Sequence, residues 1–338
     1  MENQVLKVDI SIDIEHALEG ARGILKLVRP AWKEESINHK VFDNGITNKM
    51  FGFHENGRKS DTVLVRVNGN KTEIFLDRKA EVESFELLHH HKCAPLLYCV
   101  FNNGLAYQFI KGTTLTPQTV RKDVVCRLVG QEMARMHKIP LPTDHKPEAQ
   151  TFKLIRKFMG IAFDDSDGPV DTELEARLRA EVRELELLLV DLNSPLVFCH
   201  NDLLVHNIIY NEEEGNLSFI DYEYAGYNYQ AADIGNHFCE FAGIDNADFS
   251  LYPDRGLQLR WLRGYLAAYR GLVEDDVSDE DVEKLYREVN KFALAAHLFW
   301  GIWSLVQHKF SQIDFDYKGY SQLRMNEYYK YKEKNLAL

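Results

Sequence analysis

The pattern of apolar and polar positions divides the chain into β-type runs near its start and longer helical stripes towards its end. Over residues 15–28 apolar side chains recur at Ala17, Leu18, Ala21, Ile24, Leu25 and Val28, the spacing of one helix face, and Pro30 stands just beyond. Residues 41–53 hold two apolar runs around Asn44-Gly45, which predicts a hairpin. Residues 62–67 form a β-branched run broken by one charge, Arg66. Residues 77–91 read as a helix, and 97–100 and 105–110 as strands across the turn Asn102-Asn103-Gly104. Residues 117–137 predict a helix with His137 as a core or capping group, and 140–149 a polar, Pro-containing connection. Thr172-Glu-Leu-Glu175 has the capping-box pattern, opening a helix that ends near Asp191. Short strands follow at 197–199, 208–210 and 217–220, the last two flanking the polar turn 211–215. A helix begins at Ala231. Ser278 with Asp281 caps the next one, and residues 291–310 are helical.

Composition changes this picture little. At 338 residues the chain can hold two lobes, and 45% hydrophobic with 27% charged residues is ordinary for a globular protein. A net charge of −12 without any Lys/Arg cluster argues against nucleic-acid binding. Five cysteines without paired spacing point to reduced thiols and a cytoplasmic protein. The polar start predicts no signal peptide, and the apolar run 292–306, with His297 and Ser304 inside it, is short for a membrane span. No stable membrane insertion is therefore expected. His89-His90-His91 lie next to each other on a helix, point different ways, and read as a solvated helix end rather than a metal site.

Chemistry concentrates in residues 197–240. Asn207 lies five residues after Asp202, and Asp221 lies 19 after it, closing an apolar run. Phosphoryl transfer needs an acceptor hydroxyl relieved of its proton and phosphates neutralised by metal. Asp202 on a tight loop can take the proton, Asn207 can turn back to ligate Mg²⁺, and Asp221 can bridge Mg²⁺ to the nucleotide. His200-Asn201-Asp202 and Asp221-Tyr222-Glu223 stand where protein kinases have their catalytic-loop and metal-binding tripeptides. Asp233 can brace that loop through backbone N–H groups. By itself Arg66 is either a sheet-edge residue facing water or a buried, paired one. Trp300 and Trp303, three apart on one helix face, are either core packing or the wall of a cation site.

The blocks Cys199-His-Asn-Asp-Leu-Leu with Asn207, Phe219-Ile-Asp-Tyr-Glu-Tyr-Ala-Gly-Tyr-Asn, and Asp233-Ile-Gly-Asn-His-Phe through Gly243 resemble the choline/ethanolamine kinase family, and the ethanolamine kinases most. Leu203-Leu204 after the aspartate, Tyr224-Ala-Gly after Glu223 and Phe241-Ala-Gly carry that preference. Val205-His206 departs between motif positions. The resemblance implies an α+β, two-lobed protein-kinase-like fold. Its small lobe (1–111) would hold an antiparallel sheet and bind nucleotide, and its larger, mainly helical lobe (112–338) would carry catalysis and amine binding. It implies ATP and ethanolamine as substrates, Mg²⁺ as cofactor, and a step towards phosphatidylethanolamine. Choline kinase, or a dual-specificity form, is the alternative, and a homodimer is compatible with it. Gly45, Thr47 and Asn48 would lie over the phosphates. Arg66 would clamp phosphate, with Glu81 (or Glu83) as its partner. Backbone near Gln108 and Ile110 would meet adenine. Tyr224, Glu240, Trp300, Trp303, Phe315 and Tyr320 would hold the amine beside Asp202.

Overall fold

A computed structural model describes residues 5–42, 48–69, 76–144, 146–166, 168–244, 246–311 and 313–338. The chain forms two compact units, Met1–Thr113 with Asn211–Glu223, and Thr114–Tyr210 with Tyr224–Leu338.

The first unit is built on a six-stranded sheet. In chain order it contains β1 (Leu6–Val8), α1 (Ala17–Val28), β2 (Ile37–Phe42), β3 (Asn48–Glu55), β4 (Val63–Asn68), α2 (Arg78–His90), β5 (Leu97–Phe101) and β6 (Gly104–Gln108). The spatial order is β1-β5-β6-β4-β3-β2, antiparallel except where β1 joins β5. The predicted stripe of α1 lies on this sheet: Ala17, Ala21, Ile24 and Leu25 pack with Phe51, Phe53, Val63, Val65 and Val67. All six residues of β4 are buried, so Arg66 sits inside the sheet and not at its edge. Asp77 caps α2, its side chain accepting from the Lys79 and Ala80 N–H groups.

The second unit is mainly helical. It continues from β7 (Thr113–Thr114) through α3 (Asp123–His137), α4 (Gln150–Ala162), α5 (Thr172–Val190), β8 (Leu196–Cys199) and β9 (Ile208–Asn211). After β10 (Asn216–Phe219) of the first unit come β11 (Gly226–Tyr229), α6 (Gln230–Cys239), α7 (Arg255–Arg270), α8 (Asp279–Phe310) and α9 (Tyr317–Leu336). β8 and β11 pair antiparallel, and the loop that carries Asp202 runs from the end of β8 to β9. Around α8 pack α4, α6, α7 and α9.

Several sequence expectations are corrected. The helix expected from 117 begins at Asp123, because the Thr116 and Thr119 hydroxyls each accept the other's backbone N–H and close a turn first. The cap of α5 is Asp171, one residue before the expected box, accepting from Leu174 N–H. Helix 291–310 is the second half of one 32-residue helix whose cap is Ser278. That helix is long and apolar enough to cross a membrane, contrary to the shorter run read from sequence, but 83% of its most apolar window is buried in the protein. It is a core helix. Gly235 is where α6 meets it: a Cβ there would stand 2.8 Å from the Val289 carbonyl oxygen and 2.9 Å from Ala293 N.

Candidate active site

In the first unit the sheet and α2 deliver a chain of alternating charges. Arg66 Nη2 donates to Glu81 Oε1, and Arg66 Nη1 to Asp221 Oδ1 at 3.4 Å. Arg78 Nη1 bridges Glu81 Oε2 at 2.8 Å and Glu223 Oε2 at 3.0 Å. Glu81, not Glu83, is thus the partner of Arg66; Glu83 is exposed and faces Lys79. Burial works against the Glu81 carboxylate, but Arg66 and Arg78 outweigh it and hold its pKa below the ordinary value. Burial opposes the Arg66 charge as well, yet Glu81 and Asp221 keep the guanidinium firmly protonated. At Glu223 burial wins, helped by the neighbouring Asp221 charge, and the carboxyl is pushed up to about 7.

Asp221 has φ 66°, a left-handed backbone that aspartate tolerates better than most residues. Carboxylate oxygens of Glu81, Asp221 and Glu223 lie within 4.8 Å of one another. The Asp221 side chain is 36% exposed against 3% and 8% for the other two, so it is the most accessible of the three.

In the second unit the Asp202 loop is held by backbone chemistry. Asp233 on α6 accepts the N–H of His200 at 2.9 Å on Oδ2 and that of Asn201 at 2.7 Å on Oδ1, the brace expected from sequence. His137 meets the same carboxylate at 3.0 Å and Tyr265 at 2.7 Å, which makes it a core histidine. Asn201, at φ 65°, donates through Nδ2 to the Tyr224 and Gly226 carbonyls and accepts from Asn228. Asn207 Nδ2 donates to the Asp202 carbonyl at 2.9 Å and to Asp202 Oδ2 at 3.4 Å. With its amide nitrogen so engaged, Asn207 has Oδ1 as its donor atom for a cation.

Aromatic side chains build a box in the same unit. The Trp300 and Trp303 rings meet edge to face at 5.4 Å, and Tyr224 meets Trp300 at 5.6 Å. Trp303 continues to Tyr317 at 6.0 Å, Tyr317 to Phe315 at 4.8 Å, and Phe315 to Tyr320 at 5.7 Å. Both indoles are pinned: Trp300 Nε1 donates to Asn236 Oδ1 and Trp303 Nε1 to the Tyr224 hydroxyl, each at 2.7 Å. Trp300 is buried and serves packing with most of its surface, whereas Trp303 is half-buried. A cavity of about 30 Å³ adjoins Trp300, with Thr151, Asn201, Asn228 and Asn236 on its polar side. Burial is the main cause that raises the Tyr320 phenol pKa; the Arg324 charge opposes it, and the Glu240 and, least, the Asp202 charges add to it.

The predicted residues fall as follows. Arg66, Glu81 and Asp221 come together in the first unit; Asp202 and Asn207 touch in the second, where Tyr224, Trp300 and Trp303 form one cluster, joined by Phe315 and Tyr320 through Tyr317. Gly45 and Thr47 lie outside the described residues, and Asn48 opens β3 opposite Asn68. Gln108 ends β6 with its N–H given to the Leu96 carbonyl at 2.9 Å; Ile110 follows in irregular chain. Glu240 differs from expectation in one respect. It is buried and already bonded to Arg324, so it does not stand as a bare anion. Sequence reading missed Arg78, Asn236, Tyr317 and Arg324. Glu223 sat inside a quoted motif without a role.

His237 gives this loop a pH response. Its Nδ1–H donates to the Leu203 carbonyl at 3.0 Å, and burial depresses its pKa to about 4. An unfolded histidine titrates near 6.5. The unfolded chain therefore binds the extra proton first, and stability is full above about pH 6.5 and falls as pH drops towards 4, by roughly 1 kcal/mol per pH unit. Urea midpoints across that range should fall more steeply for the wild type than for His237→Phe; parallel profiles would contradict the assignment.

These donors, a sheet-rich first unit and a mainly helical second unit define a phosphotransferase of the protein-kinase-like class. The family model for choline/ethanolamine kinase matches residues 40–329. Ethanolamine kinase 1 of Mus musculus is 43% identical over 350 residues, covering 99% of this chain and 96% of that protein. An ethanolamine kinase structure from Plasmodium vivax superposes with a TM-score of 0.82 at 26% identity, covering 94% of this chain and 89% of the other. A choline kinase structure from Cryptosporidium parvum does so at 0.81 and 26%, covering 94% and 96%. The chain belongs to the choline/ethanolamine kinase family. It is a kinase, and phosphoryl transfer from ATP implies a divalent metal. Each unit by itself offers hard oxygen ligands of the kind such a metal takes: the Asp221 carboxylate with Glu81 and Glu223 in the first, and the Asn207 amide oxygen in the second.

Proposed function

We propose that the chain is an ethanolamine kinase: ATP and ethanolamine give ADP and phosphoethanolamine, with Mg²⁺ as the metal. The observation that carries this reading is the aromatic box with pinned indoles, placed in one unit with the carboxylates of Asp202 and Glu240. Ring faces attract an ammonium by about 0.5–2 kcal/mol, and a carboxylate adds a hydrogen-bond acceptor that a primary ammonium can use. Similarity to proteins named ethanolamine kinase along nearly the whole chain supports the same choice.

In this reading Tyr224, Trp300 and Trp303 seat the positive end of the substrate, with Phe315 and Tyr320 extending the wall. Asp202 takes the proton of the substrate hydroxyl as that oxygen bonds to the γ-phosphorus and the bond to the β-phosphate oxygen breaks. Arg66, fixed by Glu81, presents a fork to phosphate oxygens. Asn207 and Asp221 would hold Mg²⁺, which when bound neutralises phosphate charge. Gly45, Thr47 and Asn48 are assigned to the phosphates, and Gln108 and Ile110 to the adenine edge. Five buried cysteines that form no disulfide fit a cytoplasmic setting.

The test is kcat/KM for ethanolamine and choline side by side with ATP. Ethanolamine should be favoured by at least about tenfold, as expected where a site's acceptors need a donor on the ligand. A preference for choline would overturn the assignment.

A further inference from the structure

Arg324 is a guanidinium with no exposed surface, in the interior of α9. A buried arginine adds little to stability over an apolar side chain of similar volume, because its desolvation consumes what its ion pair returns. Its surroundings therefore indicate what it does. Nη1 donates to Glu240 Oε1 at 2.9 Å and to the Tyr320 hydroxyl at 3.3 Å, and Nη2 donates to the Ala296 carbonyl of α8 at 3.2 Å. The rings of Phe249 and Tyr320 lie 5.2 and 5.8 Å from its guanidinium carbon. One side chain thus ties together α8, α9 and the turn after α6. Two of its partners, Glu240 and Tyr320, are groups assigned to the amine.

We infer that Arg324 is a positioning residue for the amine: it fixes the Glu240 carboxylate through Oε1 and leaves Oε2 for the ammonium. It touches no reacting atom. Its positive charge also pairs with the buried Glu240 carboxylate, which is 4% exposed. Burial opposes the Arg324 charge, but Tyr320, Glu240 and Cys239 outweigh it. A lysine in its place would supply the charge without the planar fork that reaches Glu240, Tyr320 and Ala296 together.

This inference rests on the amine reading of the box, and the two are separated by measuring binding as well as turnover. Trp fluorescence of the full chain is titrated with ethanolamine, and KM and kcat are measured for wild type, R324M, R324K, E240Q and R324M/E240Q. If the inference holds, R324M weakens ethanolamine binding and raises its KM at least tenfold, changes kcat by less than threefold, and leaves the ATP KM alone. R324K recovers part of the loss. The double variant is no weaker than E240Q, because Arg324 acts through that carboxylate. A folded R324M with unchanged ethanolamine affinity, or losses that add in the double variant, overturns the inference. Should R324M fail to fold, R324K and the charge-balanced double variant decide on the same criteria. A wild-type chain that binds no ethanolamine sinks the amine reading itself.

Discussion

Asp202→Asn should lower kcat by about 10²–10⁴-fold, the range general-base removal produces, with little change in the ATP KM. The substitution is nearly isosteric, and the loop does not depend on the lost charge for its shape. Its backbone is set by Asp233 on His200 and Asn201, and the Asp202 carbonyl still receives Leu204 N and Asn207 Nδ2. Thermal unfolding should therefore stay within a few degrees of wild type. A folded variant with near-normal kcat would remove Asp202 from the base role.

The second large effect is expected at Arg66. Arg66→Met leaves Glu81 buried with Arg78 as its remaining arginine and takes the counter-charge from Asp221. Breaking a buried pair by deleting one partner costs about 3–5 kcal/mol, and urea unfolding should show a loss of that order. Arg66→Lys keeps the charge and most of the stability but not the fork, so its ATP KM should rise roughly tenfold. Unchanged stability in the methionine variant would contradict the pairing. Unchanged ATP KM in the lysine variant would remove the phosphate role.

What was legible in the chain divides by the range of the interactions concerned. Motif spacing singled out Asp202 and Asn207, which touch in the second unit, and Asp221, which meets Arg66 in the first; the position of Asp233 at a helix start foretold its brace. The β-branched run around Arg66 announced a strand, and one charge inside it announced a partner. The misses have physical causes. Helix α4 follows a polar connection, and the stripe that buries Phe152, Ile155, Phe158 and Met159 was not read. Helix α9 spreads Tyr, Lys and Glu all round and buries Arg324 by tertiary packing, so no periodicity pointed to it. Arg324 and Glu240 are 84 residues apart, and Trp303 and Tyr224 are 79 apart. Such pairs exist only once the fold has made them.

The first unit draws on Asn211–Glu223, far down the chain from Thr113. On the ribosome its six strands emerge well before the segment that completes it. Until residue 223 has been synthesised, Arg66 lacks Asp221, Arg78 lacks Glu223, and Phe85 lacks the Tyr222 ring that meets it at 5.4 Å. At about 5–20 residues per second, the nascent sheet waits several seconds with two arginines under-compensated. A fragment ending at 113 would remain in that immature state, so this lobe cannot be excised at a single cut and keep its charge balance.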